Sequence, residues 1–344
     1  MRKLYSLIAA AALVLAGCSG DTGDSGAESS PGPATSSTTT TDAADDATVG
    51  QWPRTVTVEE TGIEIESAPQ RIVALSTETT DIIIELGGAD RLVGVSSGSQ
   101  TEGTGNNVEE ASRVEATFRA DGGIDPEQII ALDPDLVVLT QRQDNDETLI
   151  EVLNGAGITV VPFSPRSFAS PEAVADSVTT LGQILGEEEA ANEITAGITE
   201  RTAAVDEALA DVGDKPRTLA LMARGPQQMI MGQGTATMML VERAGGTSIP
   251  GEEGWQQSVP VDAEVLVSLS PEVILVQDFM GSGMGGFEEL LANPALADIP
   301  AIANDRVYLI EAQTTSGTSG SHLTTGLEEI AALLHPEIAD TVGK

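Results

Sequence analysis

Cysteine, histidine and positive charge are what this sequence has least of. Its 344 residues include one Cys and two His. A single cysteine, Cys18, permits no intramolecular disulfide. Two histidines, His322 and His335, cannot supply the convergent ligand set of a zinc or manganese site, so no resident metal or cofactor is expected. The same scarcity leaves a Ser-His-Asp triad little to draw on. Lys and Arg number 16 against 54 Asp and Glu, a net charge of −38. A field of that sign excludes nucleic acid and repels anionic headgroups. It fits a salty habitat, where repulsion between surface charges is screened. The apolar stretch from Leu4 to Ala16 is shorter than the ~20 residues a membrane helix needs.

What is present begins at that stretch. Arg2 and Lys3 precede it, and it closes Leu15-Ala16-Gly17-Cys18. The order of charge, apolar run, small residues and Cys resembles a bacterial lipoprotein signal. The resemblance implies cleavage after residue 17 and acylation of Cys18. Residues 19–51 are mostly Ser, Thr, Gly, Pro, Ala and Asp, with no Leu, Ile or aromatic. Such a segment buries too little surface to fold, so 18–51 reads as a flexible, lipid-anchored tether. About 290 residues follow, enough for two α/β domains.

A fifteen-residue pattern occurs twice in that region. Residues 125–139 read DPEQIIALDPDLVVL, and 262–276 read DAEVLVSLSPEVILV. Apolar residues at helical spacing before the Pro predict a short helix. The apolar, β-branched run after it predicts a strand buried on both faces. One unit used twice predicts two similar lobes with a cleft between them.

The rest of the chain alternates in the same way. TVTVEETGIEIE (55–66) reads as a β-hairpin around Thr61-Gly62. RIVALS (71–76), RLVGVS (91–96), DLVVLT (135–140) and TVVPF (159–163) read as strands of a first lobe. TLALMA (218–223), EVILV (272–276) and RVYLI (306–310) read as strands of a second. Residues 171–212 carry helix formers with Ile194, Ile198, Val205 and Leu209 on one face, interrupted at Gly186. The expected architecture is α/β: lobes at 52–169 and 214–344, parallel-rich sheets flanked by helices, and one long connecting helix over 170–213.

The segment APQRIVALSTETTDIIIELGGADRLVGV (68–95) and the two Glu-x-x-x-x-Leu-x-Pro units resemble the substrate-binding proteins of ABC importers for iron-siderophores, haem and vitamin B12. The resemblance covers residues 55–336. FEELLANPALADIPAIANDRVYLI (287–310) is similar to the haem-importer branch. What this implies is an extracytoplasmic monomer that closes only slightly on its ligand. It also implies docking onto a membrane permease and its ATPase through Glu127 on one lobe and Glu264 on the other. Read from the residues alone, both glutamates are helix-start acids favoured by the helix dipole.

Ligands of open α/β sheets sit beyond the carboxyl ends of the strands. Arg142, Arg166 and Arg224 each follow such a strand, and Arg119 precedes the first repeat. Removing residues 1–17 takes Arg2 and Lys3, so these are four of 14 remaining basic residues. Their convergence predicts an anionic ligand held by guanidinium forks. Trp255 is a candidate for stacking, Met280 and Met284 for an adaptable apolar wall, and His322 for an axial ligand to haem. The expected cargo is a ferric siderophore first, haem second and vitamin B12 third. Two readings of other classes stand beside these. One is an exported oxidoreductase using Gly281, Gly283 and Gly286, which satisfy G-x-G-x-x-G. The other is a surface adhesin built on the same fold.

Overall fold

The computed structural model describes residues 50–119, 123–143, 145–224, 227–279 and 283–342. The signal segment 1–17, Cys18, nearly all of the tether and Met280 lie outside them. Among the described residues no helix is long and apolar enough to cross a membrane.

The chain enters through a hairpin of β1 (Arg54–Val58) and β2 (Thr61–Ile65). Val58 pairs with Thr61, so the turn is Glu59-Glu60, two residues earlier than the sequence signal; Glu59 takes the left-handed conformation that closes it (φ 51°). Five strands then form the first lobe's sheet: β3 (Ile72–Ala74), β4 (Leu92–Ser96), β5 (Thr117–Phe118), β6 (Leu136–Thr140) and β7 (Thr159–Phe163). Their order is β5-β4-β3-β6-β7, and every pairing is parallel.

The second lobe holds β8 (Arg217–Arg224), β9 (Gln227–Ile230), β10 (Thr247–Ser248), β11 (Val259–Pro260), β12 (Val273–Asp278) and β13 (Val307–Glu311). The order is β11-β9-β8-β12-β13, with β10 beside β8. β9 runs antiparallel to both β8 and β11, so this sheet is mixed. The sequence gives no sign of that ribbon, because QQMI has neither an apolar run nor alternation. β8, β12 and β13 are parallel, as their continuous apolar runs require.

Alternation along the strands sorts their side chains into layers. Ile72, Ala74, Leu136 and Val138 face a central core that continues through the helices into Ala220, Val273 and Leu275 of the second lobe. Val73, Leu75, Val137 and Leu139 face an outer core of the first lobe. Leu219, Leu221, Ile274 and Val276 face an outer core of the second. The apolar centre is thus shared between lobes, while each sheet has its own far side.

The repeat is a structural repeat. Asp125 caps the helix Pro126–Ile130 and Asp262 caps the helix Ala263–Leu269, each side chain accepting from a helix-start N–H. Both units then turn through a left-handed residue at their ninth position, Asp133 (φ 50°) and Ser270 (φ 47°), immediately before the Pro.

The connecting region is two helices rather than one. Pro171–Leu185 ends at Gly186, whose φ of 76° is left-handed, and Glu188–Leu209 packs back against it. A Cβ at Gly182 would lie 2.4 Å from the Cβ of Ala191, so glycine is what lets the two helices approach. The second helix does the connecting. At its start Glu188 pairs with Arg54 and Glu187 with Arg91, both in the first lobe. Further along, Arg201 makes a bidentate pair with Glu328 of the terminal helix Leu323–Leu334.

Candidate functional site

Between the lobes lies a cleft with two contiguous chambers, of about 520 and 660 Å³, sharing Pro165, Ala169 and Gly234 as walls. The inner chamber takes Arg142 from the first lobe. From the second it takes Met222, Met229, Met231, Thr237 and Gln277, with residues 316–318 closing the side. A recess of about 140 Å³, lined by Ser76, Glu78, Thr140 and Asp146 together with Leu75, Ile124, Leu139 and Leu149, shares Arg142 and Thr318 with it.

Arg142 stands where the strand-end rule puts it, just past β6. Asp146 accepts from the backbone N–H of Arg142 (2.7 Å) and Gln143 (2.8 Å), which curls the loop so that the guanidinium turns inward. Its Nη1 donates to Glu78 Oε1 at 2.7 Å, and its Nη2 donates across the lobes to the Gly317 carbonyl at 2.9 Å. Glu78 is fully buried, and the Thr140 hydroxyl also donates to its Oε1. The expectation that Arg142 waits for an anion is therefore corrected: its charge is already matched by a carboxylate from this chain.

Arg166 and Arg119 do not join it in the inner chamber. Arg166 is exposed and lines the outer chamber, beside Met239 and Glu242. Arg119 is exposed just after β5 and is not a wall of these chambers. Arg224 ends β8 opposite Gln227, and its side chain lies outside the described residues. Of the three expected cations whose side chains are described, Arg142 reaches the inner chamber and is neutralised there, and Arg166 reaches the outer.

Trp255 is half-buried against the second lobe's outer core, where its carbonyl accepts from Gln233 N–H; the neighbouring Gln256 and Gln257 line the chambers instead. Met284 packs on the same core. The methionines that do face the inner chamber include Met222 and Met229, brought opposite each other by the β8–β9 ladder.

His322 sits at the lobe junction rather than in a chamber. Its Nε2 is 3.3 Å from Glu85 Oε1, while the Ser321 hydroxyl donates to Glu85 Oε2 at 2.5 Å. Glu85 raises the His322 pKa above its ordinary value. Asp81, fully buried next to this pair, is pushed up to about 6 by desolvation, although it accepts from Asn106 and Asn107 N–H. Asn106 Nδ2 then donates to the carbonyls of Gln313 (3.2 Å) and Ser319 (3.3 Å), so the cluster ties the lobes together.

Of the glycine motif, Gly281 lies outside the described residues. Gly283 N–H already donates to Asp278 Oδ2 at 2.9 Å. The helix behind it, Glu288–Leu291, is four residues long and starts with two acids.

Glu78 and Gln277 are among the cleft residues that sequence reasoning missed. Glu78 stands two residues past strand RIVALS and Gln277 directly after EVILV. That position, at a buried strand's carboxyl end, was the available signal.

The family model for periplasmic binding proteins matches residues 72–314. A cobalamin-binding protein of Halobacterium salinarum is 31% identical over 218 residues, 62% of this chain. The match spans only 56% of that relative's length. An ABC transporter substrate-binding lipoprotein of Bacillus subtilis, itself uncharacterised, is 24% identical over 280 residues, 80% of this chain and 83% of its own. Among solved structures, the periplasmic haem-binding protein RhuT of Roseiflexus superposes with a TM-score of 0.67 at 25% identity, covering 78% of this chain and 98% of that one. With more than half of its residues inside the matched region, the chain belongs to the periplasmic binding protein family.

Proposed function

We propose that the protein is the solute-binding component of an ABC importer, anchored outside the cytoplasm through Cys18, and that its cargo is a cobalamin-type corrinoid. The observation that carries the cargo reading is the Glu78–Arg142 pair. Among the described residues it leaves the inner chamber with balanced charge, walled in part by amides, hydroxyls and thioethers. Such a wall suits a bulky, amide-rich ligand. A ferric catecholate or carboxylate needs unmatched cations, and Arg142 does not supply one. The name of the Halobacterium relative supports the same reading.

Docking onto a permease is supported by a matched pair of surfaces. Each repeat exposes its Glu, Glu127 or Glu264, and one helical turn on an exposed aliphatic residue, Ile130 or Val267. Haem is the second reading, favoured by the thioethers of Met222, Met229 and Met231 in the chamber, since methionine can serve as an axial ligand.

Calorimetric titration of the purified protein with cyanocobalamin, haemin and a ferric siderophore tests this. Cyanocobalamin alone binding tightly is the expected result. Haemin binding with a Soret shift lost in Met231→Ala would install the second reading, and exclusive siderophore binding would restore the first expectation.

A further inference from the structure

Two buried acceptor atoms in the cleft have no hydrogen-bond partner among the described residues, and they come from opposite lobes. In the first lobe, Glu78 Oε1 accepts from both Thr140 Oγ1 and Arg142 Nη1, while Oε2 of the same fully buried carboxylate accepts nothing. Glu78 lines the recess that shares Arg142 and Thr318 with the inner chamber. In the second lobe, Gln277 is 3% exposed and lines the inner chamber itself. Its Nε2 donates to Thr237 Oγ1 at 2.9 Å and Thr315 Oγ1 at 3.0 Å, and its Oε1 is left over.

The orientation of the Gln277 amide is dictated by its neighbours. The Thr237 hydroxyl spends its proton on the Thr315 carbonyl (2.8 Å), and the Thr315 hydroxyl spends its own on the Glu311 carbonyl (2.7 Å). Both hydroxyls can then only accept from Gln277, so the amide NH₂ must face them and the carbonyl oxygen must be the free atom. A buried acceptor left unpaired costs on the order of 1–3 kcal/mol, more for a charged group, so two in one cleft mark places where a donor is meant to arrive.

We infer that the cleft reads carboxamide N–H groups of its cargo at two points, Glu78 Oε2 in one lobe and Gln277 Oε1 in the other. At the first point the reading is two-sided. The carboxylate accepts the amide N–H, and the adjoining Arg142 guanidinium has further donors for the amide carbonyl. A carboxylate in place of that amide would meet Glu78 as a like charge in a buried site. The inference rests on the corrinoid reading of the cargo and adds the groups that select it.

The test is the affinity of cyanocobalamin against its monocarboxylate derivatives, each with a single carboxamide hydrolysed, for the wild type, Glu78→Gln and Gln277→Leu. The wild type should bind cyanocobalamin about tenfold or more tightly than at least one monocarboxylate. Glu78→Gln keeps an acceptor for Thr140 and Arg142 but turns an NH₂ toward the recess. It should therefore bring that ratio to near unity, with the derivative gaining. Gln277→Leu should weaken cyanocobalamin by about tenfold on its own, without involving Glu78. The same ratio in wild type and Glu78→Gln, or undiminished binding by Gln277→Leu, would overturn the inference while leaving the cargo intact. Failure of the wild type to bind cyanocobalamin at all would overturn the cargo reading and this inference with it.

Discussion

Arg71 and Arg217 hold equivalent places in the two lobes, each laying its guanidinium on the carbonyls that close a repeat's helix. Arg71 donates to the Leu132 and Asp133 carbonyls, at 2.6 and 2.9 Å. Arg217 donates to those of Leu269 and Ser270, at 2.8 and 3.4 Å. The backbone N–H of each arginine is taken by the acid after the repeat's Pro, Asp135 for Arg71 and Glu272 for Arg217. The acid after the repeat's Pro is therefore a splice. It joins the helix–turn–strand unit to the neighbouring strand, and the arginine covers carbonyls that the left-handed turn leaves exposed.

Removing either side chain should loosen its lobe without touching the cleft. Arg71→Ala and Arg217→Ala should each cost about 1–2 kcal/mol in urea denaturation. Cargo affinity of the folded variants should stay within twofold or so of wild type. A large affinity loss with unchanged stability would show that these arginines serve the ligand.

Arg142 should behave as a structural partner of Glu78. Arg142→Ala leaves a buried carboxylate without its countercharge, and stability should fall by roughly 3 kcal/mol. The double variant Arg142→Met with Glu78→Gln should recover much of that loss in thermal melts. If Arg142→Ala leaves the melting temperature where it was and only weakens an anionic ligand, the sequence expectation for this residue was right.

The junction around Asp81 should make the protein less stable as pH rises from about 4 to 8. Asp81 holds its proton to about 6 in the fold against 3.8 ordinarily, so the native state binds the proton more tightly. Its contribution favours the fold at low pH and is lost as pH climbs through 6, on the order of 3 kcal/mol for a shift of that size. His322 acts in the same sense. Its pKa is raised from 6.5 by Glu85, with Asp81 adding to the effect and Arg201 opposing it, so its stabilisation is full below 6.5 and lost above the raised value. Glu329, raised by burial, follows Asp81. Asp206 and Glu59 are lowered and act oppositely, but their stabilisation is lost only as pH falls through the acid range below this window. Melting temperatures at fixed ionic strength should show the decline, flattened in its lower half by Asp81→Asn and in its upper half by His322→Gln. A flat wild-type curve would show that the junction does not govern pH stability.

Glu127→Ala with Glu264→Ala should leave cargo affinity in solution unchanged and abolish uptake by cells. Both side chains are exposed at helix starts, and neither lines the chambers or the recess. Uptake that persists in the double variant would end the docking role.

Much of this protein was legible from residue order alone. Period and composition marked the continuous apolar strands, both copies of the repeat and the break at Gly186, because these depend on local spacing and on backbone conformations only certain residues favour, and the likeness to the family rested on 68–95 and the two repeat motifs. The β9–β11 ribbon was not legible, since QQMI gains its strand from the ladder it joins rather than from its own pattern. The cleft was legible only as a place. Strand ends pointed to Arg142, which lines the inner chamber, but whether its charge was free depended on Glu78, 64 residues earlier in the chain. His322 and Trp255 have the chemistry of ligand groups, yet one is turned to Glu85 and the other to a core. Electrostatic and hydrogen-bond partners are chosen across long sequence separations by packing. Which polar atoms are already satisfied, and which are left to meet a ligand, was therefore decided by tertiary structure alone.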